Sequence, residues 1–344
     1  MTILIKKGMN NGNLMTKLEL KNKTILITGG TGSFGKNFAK YLLENFKLKK
    51  LIIFSRDEFK QHQMQREIHD PRLRFFIGDV RDLSRLERAF SGVDIVIHAA
   101  ALKQVPAIEY NPFEAVKTNI LGSQNVIEAS INQKVSKVLL ISTDKAVYPI
   151  NLYGSTKLCA EKLFTAANSY SSSVTTFSSV RYGNVVGSRG SIIETLKTKN
   201  TKTQIVDITD PDMTRFWLTL NQAFELVMFS LKYMEGGEIF VPKIPSMRLG
   251  DLFDALVPLA KKKIIGLRPG EKINEILITE NEAVNTVSID SYFVILPHIS
   301  FKKDIYKKHK ACGKKLDNNF SLKSDTNDSW LTKKDILKLL TKPL

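Results

Sequence analysis

The sequence predicts an α/β fold, a Rossmann-type doubly wound parallel sheet with a smaller α/β substrate-binding cap. Three observations carry the prediction. Short apolar, β-branched runs alternate with helix-period segments through the first half of the chain. The first run leads straight into a turn with glycines at every third position, which opens a helix. A later run leads into an acid, an amine and a Tyr-x-x-x-Lys pair. In such a sheet the binding crevice lies at the carboxyl ends of the strands, so the last two observations fall on one side of the molecule.

Strands are expected at Thr24–Thr28, Leu51–Ser55, Leu73–Ile77, Asp94–His98 and Val138–Ser142, with Thr175–Arg181 and Glu238–Val241 joining the same sheet. Helices are expected at Phe34–Leu43, Pro112–Ile131 and Leu152–Ala167. The pattern changes after Gly187, where segments become shorter and richer in proline and charge. Residues 20–187 and 217–243 are therefore assigned to a cofactor domain, and 188–216 and 244–344 to the cap. Near the end, Thr332-x-x-Asp335 precedes Ile336, Leu337, Leu339 and Leu340, the pattern of an N-capped amphipathic helix that docks.

Thr28-Gly29-Gly30-Thr31-Gly32-Ser33-Phe34-Gly35 follows the first strand. Helix N-terminal amides attract a pyrophosphate, and Gly29, Gly32 and Gly35 let it approach. The turn residues Thr28, Gly29, Gly32, Ser33, Phe34 and Gly35 are the expected phosphate cradle. The second strand ends in Phe54-Ser55-Arg56. Ser55 and Arg56 suit a 2′-phosphate, which favours NADP, whereas Asp57 and Glu58 offer carboxylates to the free diol of NAD. Asp79 and Val80 follow the third strand and suit the adenine. Ala99 and Ala100 follow the fourth, where small side chains let a dinucleotide lie against the sheet.

The chemistry is concentrated in Ile141–Lys157, ISTDKAVYPINLYGSTK. Tyr153 and Lys157 are four apart and share a helix face. A cation beside a phenol lowers its pKa by about 1–3 units. Tyr153 can then take a proton from a sugar hydroxyl while hydride leaves the same carbon. Thr143 can hydrogen-bond the oxygen being oxidised. A 4-epimerase needs nothing more, yet Asp144 and Lys145 follow at once. Oxidation at C4 of a hexose acidifies the C5 proton. A base can remove it, an acid can protonate the C6 hydroxyl, and water departs. Asp144 and Lys145 fit those two added roles.

Composition excludes other classes. The chain has 344 residues and a formal charge of +17, but its lysines are scattered and no nucleic-acid motif accompanies them. No stretch approaches the roughly 20 apolar residues of a membrane span. Lys6 and Lys7 precede no secretory-type apolar run, and Met15 offers an alternative start. The two cysteines, Cys159 and Cys312, fit a reduced cytoplasm and supply no metal-ligand spacing. The expectation is a cytoplasmic protein without nucleic-acid, membrane or metal partners.

Ordered blocks from Asn22 to Leu340 include LITGGTGSFGK, FSRDE, FFIGDVRDL, HAAALKQVP, STDKA, INLYGSTK, RYGNVVGSRGS, MTRFW, GLRPGEK and SWL. In these blocks the chain resembles the NADP-dependent, inverting UDP-N-acetylglucosamine 4,6-dehydratases of pseudaminic acid synthesis, within the extended short-chain dehydrogenase superfamily. The resemblance implies Asp144 as the acid at O6, Lys145 as the base at C5 and Tyr153 as the base at the C4 hydroxyl. Lys157 would support Tyr153 and the nicotinamide ribose. NADP would be tightly bound and recycled within each turnover. Retaining relatives carry Asp-Glu where this chain has Asp144-Lys145. Substrate contacts carry over to Lys103, Asn184, Arg215, Arg268 and Glu271; the cations suit a diphosphate, and Glu271 suits the uridine ribose. A homo-oligomer, a hexamer, is also implied. The chain departs from the family pattern at Gln104 (usually His), Val147-Tyr148 (usually Ala-Asn) and Ile273-Asn274 (usually Leu-His). Alternatives from the residues are a 4-epimerase, a retaining dehydratase and a non-catalytic dinucleotide sensor.

Overall fold

The computed structural model describes residues 19–171, 174–187, 192–198, 205–298 and 305–341. Its centre is a ten-stranded sheet. The first six strands are β1 (Thr24–Thr28), β2 (Lys50–Ser55), β3 (Leu73–Ile77), β4 (Ile95–His98), β5 (Lys137–Ile141) and β6 (Thr176–Val180). They lie in the order β3-β2-β1-β4-β5-β6, all parallel, with Ile239–Pro242 added beside β6 in the same direction. That is a doubly wound α/β sheet, as the alternation of elements implied. Each expected strand is present within a residue or two of its expected ends. The strand order reverses between β1 and β4, so the crevice opens beyond Thr28 and its register partner His98.

Buried side chains alternate across this sheet because successive strand residues face opposite ways. Ile25, Ile27, Ile53, Ile97 and Leu139 pack on one face with Phe38, Leu42 and Phe224. Leu26, Phe54, Val96, Val138 and Leu140 pack on the other with Phe90, Val126 and Phe164. Both faces are covered, which is why the three central residues of β1 are all apolar and every one of its five residues is buried.

Segments after residue 243 do not all leave the sheet. Tyr292–Ile295 pairs antiparallel with Ile239–Pro242, followed by Thr286–Ile289 and Lys314–Lys315. Over the mouth of the crevice lies a three-stranded sheet of Asn184–Val185, Thr214–Leu218 and Ser246–Arg248. Two further ribbons pair Ile205–Ile208 with Lys261–Ile264, and Ile276–Ile278 with Leu322–Lys323. Thr214–Leu218 thus spans the expected boundary at residue 216. The C-terminal helix, Lys333–Thr341, is capped by Thr332, whose hydroxyl accepts from the Asp335 amide at 3.2 Å. Ile336 of that helix is buried beside Trp217, Met247 and Leu252.

One expected helix differs in its interior. Pro112–Ala115 and Gly122–Asn132 are α-helical, but Val116–Leu121 between them forms a π-turn. The wider turn turns Asn119 inward. Its side chain accepts from the Leu102 amide at 2.8 Å, and donates to the Leu102 carbonyl at 2.9 Å and to Thr156 Oγ1 at 3.0 Å. The loop after β4 is thereby tied to the helix that carries Tyr153 and Lys157.

Candidate active site

A cavity of about 940 Å3 opens at the carboxyl ends of β1 to β6 and is closed over by cap residues. It divides into a dinucleotide end and a proton-handling end.

At the dinucleotide end, Gly29 turns the chain at φ +65°, and a Cβ there would stand 2.8 Å from the Ala100 backbone. Only glycine permits both the dihedral and the approach. Gly32 is the N-cap of the helix Ser33–Asn45 and supplies no side-chain cap, so first-turn amides stay available to an anion. At the end of β2, Ser55 is buried and accepts from Gln61 Nε2 at 3.0 Å. Arg56 remains half exposed, 3.6 Å from Asp79. Asp57 is the N-cap of the helix Glu58–Glu67, accepting from the Lys60 amide at 2.9 Å and pairing with the Lys60 ammonium. Its carboxylate is thus committed to the helix. Asp79 is held low in pKa; burial opposes this, but the Arg81 hydrogen bonds and Arg56 outweigh it.

At the other end, Thr143 caps a short 3-10 turn of Asp144–Ala146. Asp144 is fully buried. Its Oδ1 accepts from Thr143 Oγ1 at 2.9 Å and from Lys145 Nζ at 3.0 Å, while Oδ2 has no hydrogen-bond partner. Lys145 Nζ also stands 3.3 Å from Glu275 Oε1 and 3.5 Å from Asn184 Oδ1. Asn151 caps the helix Leu152–Tyr170, accepting from the Gly154 amide at 2.8 Å and fixing the start of the turn that carries Tyr153.

The electrostatics differ from the expectation in one respect. Lys157 was to be the cation that activates Tyr153. In the structure burial pushes the Tyr153 phenol up to about 12, and the cation that opposes this is Lys145, helped by a hydrogen bond with Thr143. Lys157 is itself buried, which pulls it down to about 8 despite Glu161. Burial also works against the Lys145 ammonium, but Asp144 and then Glu275 outweigh it and hold Lys145 above the usual lysine range. Burial keeps His98 neutral by lowering it to about 3.

The cavity gathers every anticipated site residue except two. Thr28 is buried beneath the turn, its hydroxyl 2.7 Å from His98 Nδ1. Asp144 lies wholly under the cavity surface and reaches it through Thr143 and Lys145. Arg215 lines the cavity, but its Nη atoms donate to the carbonyls of Thr214, Ile273 and Lys272 at 2.7 to 2.9 Å, which pins the RPGEK turn. Sequence reasoning passed over Glu275, a cavity-lining carboxylate only 2% exposed. Its signal was faint: a second acid four residues beyond Glu271, where buried and surface carboxylates look alike. Among the described residues no group of three or more His, Cys, Asp or Glu could hold a metal ion, and no helix is long and apolar enough to cross a membrane.

Comparison with known proteins places this geometry. The family model described as polysaccharide biosynthesis protein matches residues 25–297. An inverting UDP-N-acetylglucosamine 4,6-dehydratase of Campylobacter jejuni is 49% identical over 324 residues, covering 92% of this chain and 97% of that protein. A UDP-glucose 4-epimerase of Rickettsia conorii is 43% identical over 282 residues, covering 80% and 83%. The X-ray structure of Pen from Bacillus thuringiensis superimposes with a TM-score of 0.85 at 40% identity, covering 93% of this chain and 98% of that one.

Proposed function

Because the chain belongs to the polysaccharide biosynthesis protein family, we propose that it is a UDP-N-acetylglucosamine 4,6-dehydratase that inverts C5. The product is UDP-2-acetamido-2,6-dideoxy-β-L-arabino-hex-4-ulose, and the reaction opens pseudaminic acid synthesis. The observation that carries this reading is the Asp144–Lys145 pair, 3.0 Å apart at the cavity that also holds Tyr153. An ammonium and a carboxylate at that separation become an amine and an acid by moving one proton between them. The amine can then take the C5 proton, the acid can protonate the leaving O6, and C5 regains a solvent-derived proton on the opposite face as hydride returns to C6.

The remaining roles follow from placement. Tyr153 takes the proton of the C4 hydroxyl, with Thr143 beside it. Lys157 holds the nicotinamide ribose. Lys103, Asn184, Arg215, Arg268 and Glu271 bind the sugar nucleotide; Arg215 does so chiefly by fixing the turn that carries Arg268 and Glu271. Bound NADP supplies the hydride acceptor at C4 and the donor that returns hydride to C6. The choice of NADP over NAD is supported by Arg56 at the end of β2 and by the commitment of Asp57 to its helix. The reading includes a cytoplasmic homo-hexamer and a division into a cofactor domain and a substrate cap.

Incubation with UDP-N-acetylglucosamine in deuterated water tests the proposal. Loss of one water, a ketone at C4, and deuterium at an inverted C5 are expected. Deuterium at C5 with configuration kept would make it a retaining dehydratase. A 4-epimerase is the second reading, favoured by the Rickettsia relative. It predicts an isobaric product and leaves Asp144 and Lys145 without work.

A further inference from the structure

Glu275 has no part in the reaction as set out, yet its placement is hard to reconcile with a purely structural carboxylate. It lies where the RPGEK turn enters the short strand Ile276–Ile278, and its backbone is anchored there by two hydrogen bonds to Ser324, each 2.8 Å. The side chain is buried and lines the cavity. Oε1 faces Lys145 Nζ at 3.3 Å, and Oε2 accepts no hydrogen bond. Two other cations stand further off, Lys272 Nζ at 3.8 Å and Arg215 Nε at 3.9 Å.

We propose that Glu275 is a positioning residue for Lys145: its buried carboxylate holds the Lys145 side chain over the reacting carbons and sets its strength as a base. This deepens the dehydratase reading and rests on it for the identity of the proton that Lys145 removes. Lys145 sits between two carboxylates contributed by different parts of the fold. Asp144 is its chain neighbour and is needed as the acid. Glu275 comes from the cap and has no part in the proton transfer itself. Once Lys145 accepts a proton from carbon, the resulting ammonium faces a fixed anion rather than an apolar wall, so the transfer runs further towards the enolate. The other charged or titratable groups facing Lys145 are Arg215, Lys272, Tyr153 and Lys103. Three of those are cations, which work against the ammonium, and Glu275 offsets them.

The test uses the full chain with 13C-labelled lysine, the Lys145 signal being assigned by Lys145→Arg. In the wild type Lys145 should remain an ammonium through the range where ordinary lysines lose their proton. Glu275→Gln should bring its midpoint down by about 1–3 units, and Glu275→Asp, which keeps the charge but withdraws it, should fall between. In the same preparations the acid limb of the pH profile for C5 deuterium incorporation should move to lower pH, and by more than the profile for C4 oxidation, read as NADPH absorbance, which Lys145 reaches only through Tyr153. An unmoved Lys145 midpoint in folded Glu275→Gln, or in Glu275→Asp should the glutamine variant not fold, overturns the proposal. An equal loss of C4 oxidation and C5 exchange with no change in either pH profile also overturns it. The titration needs no turnover. A wild type that titrates as described but does not dehydrate the substrate would therefore count against the dehydratase reading alone.

Discussion

Replacing Arg181 should be among the most damaging single changes in the protein, and the structure sets the size. Arg181 follows β6 and is 1% exposed. Its guanidinium donates to Glu161 Oε2 at 2.7 Å and Oε1 at 3.2 Å, to both Glu282 oxygens at 3.0 and 3.1 Å, and to the Leu277 carbonyl at 2.9 Å. Glu161 is equally buried and also accepts from Ser142 at 2.6 Å. Arg181→Met removes the cation and leaves Glu161 buried with the Ser142 hydroxyl as its remaining hydrogen-bond partner and only the electrostatic pull of Lys157 beside it. Breaking a buried pair by removing one member costs about 3–5 kcal/mol. Urea unfolding should show a stability loss of that size as a lowered midpoint with unchanged slope. Arg181→Met combined with Glu161→Gln should recover part of the loss, because the buried Glu161 charge that Arg181 compensated is gone. The same network joins the end of β5, the helix of Tyr153 and the cap, so activity should fall with stability. A loss under about 1 kcal/mol for Arg181→Met would show that water or a mobile side chain compensates Glu161, and the reasoning would fail.

Tyr153→Phe should lower C4 oxidation by about 100- to 10,000-fold, as loss of a positioned acid–base group does, with NADPH formation in single-turnover absorbance as the readout. Lys145→Ala should spare C4 oxidation more than water loss; wild-type dehydration by that variant would dismiss Lys145 as the base. Arg56→Ala should weaken NADP binding by about 10-fold or more and leave NAD nearly unchanged, measured by calorimetry, since a charge-assisted phosphate contact contributes about 1.5–3 kcal/mol. Lys157 has a folded pKa of about 8 against an ordinary 10.5. The unfolded chain therefore binds more protons between those values, so wild-type stability should rise with pH there and be lowest below pH 8. Lys157→Met should flatten that slope and raise stability at pH 7 by roughly 1–3 kcal/mol, which thermal melts across pH 7 to 10.5 would decide.

The sheet was legible because the centres of β1, β2, β4 and β5 are buried on both faces and so carry apolar runs of three or four residues. The glycine turn was legible because φ +65° at Gly29 and its contact with Ala100 admit no other residue. The cap was harder. Tyr292–Ile295 carries no signal that it turns back to pair antiparallel with Ile239–Pro242, since that pairing is set by contacts fifty or more residues apart. The π-turn at Val116–Leu121 keeps helical periodicity on either side and leaves no mark in the pattern. Glu275 was missed for a related reason: what distinguishes it from a surface acid is Lys145, 130 positions earlier, and only the fold brings the two to 3.3 Å.

The departure at Val147-Tyr148 can now be weighed in physical terms. Tyr148 adopts φ +43°, a left-handed conformation that asparagine accepts readily and tyrosine does not. Ala-Asn, the pair expected here from the sequence resemblance, would therefore suit this backbone better than Val-Tyr. The turn is nevertheless kept, because its consequences lie on either side of it. Val147 is buried, and its carbonyl accepts from Lys272 Nζ at 2.6 Å. That bond holds the catalytic loop to the RPGEK turn. Lys272 in turn stands 3.8 Å from Glu275. The Tyr148 ring is mostly exposed and is absent from the cavity wall, so its bulk falls outside the site. The substitution thus strains a turn whose geometry the Lys272–Val147 bond enforces, and it leaves the arrangement of Asp144, Lys145 and Glu275 intact. Tyr148→Asn should accordingly stabilise the protein by roughly 1 kcal/mol in urea unfolding and leave turnover unchanged. A changed product ratio would instead place the Tyr148 ring against the bound sugar.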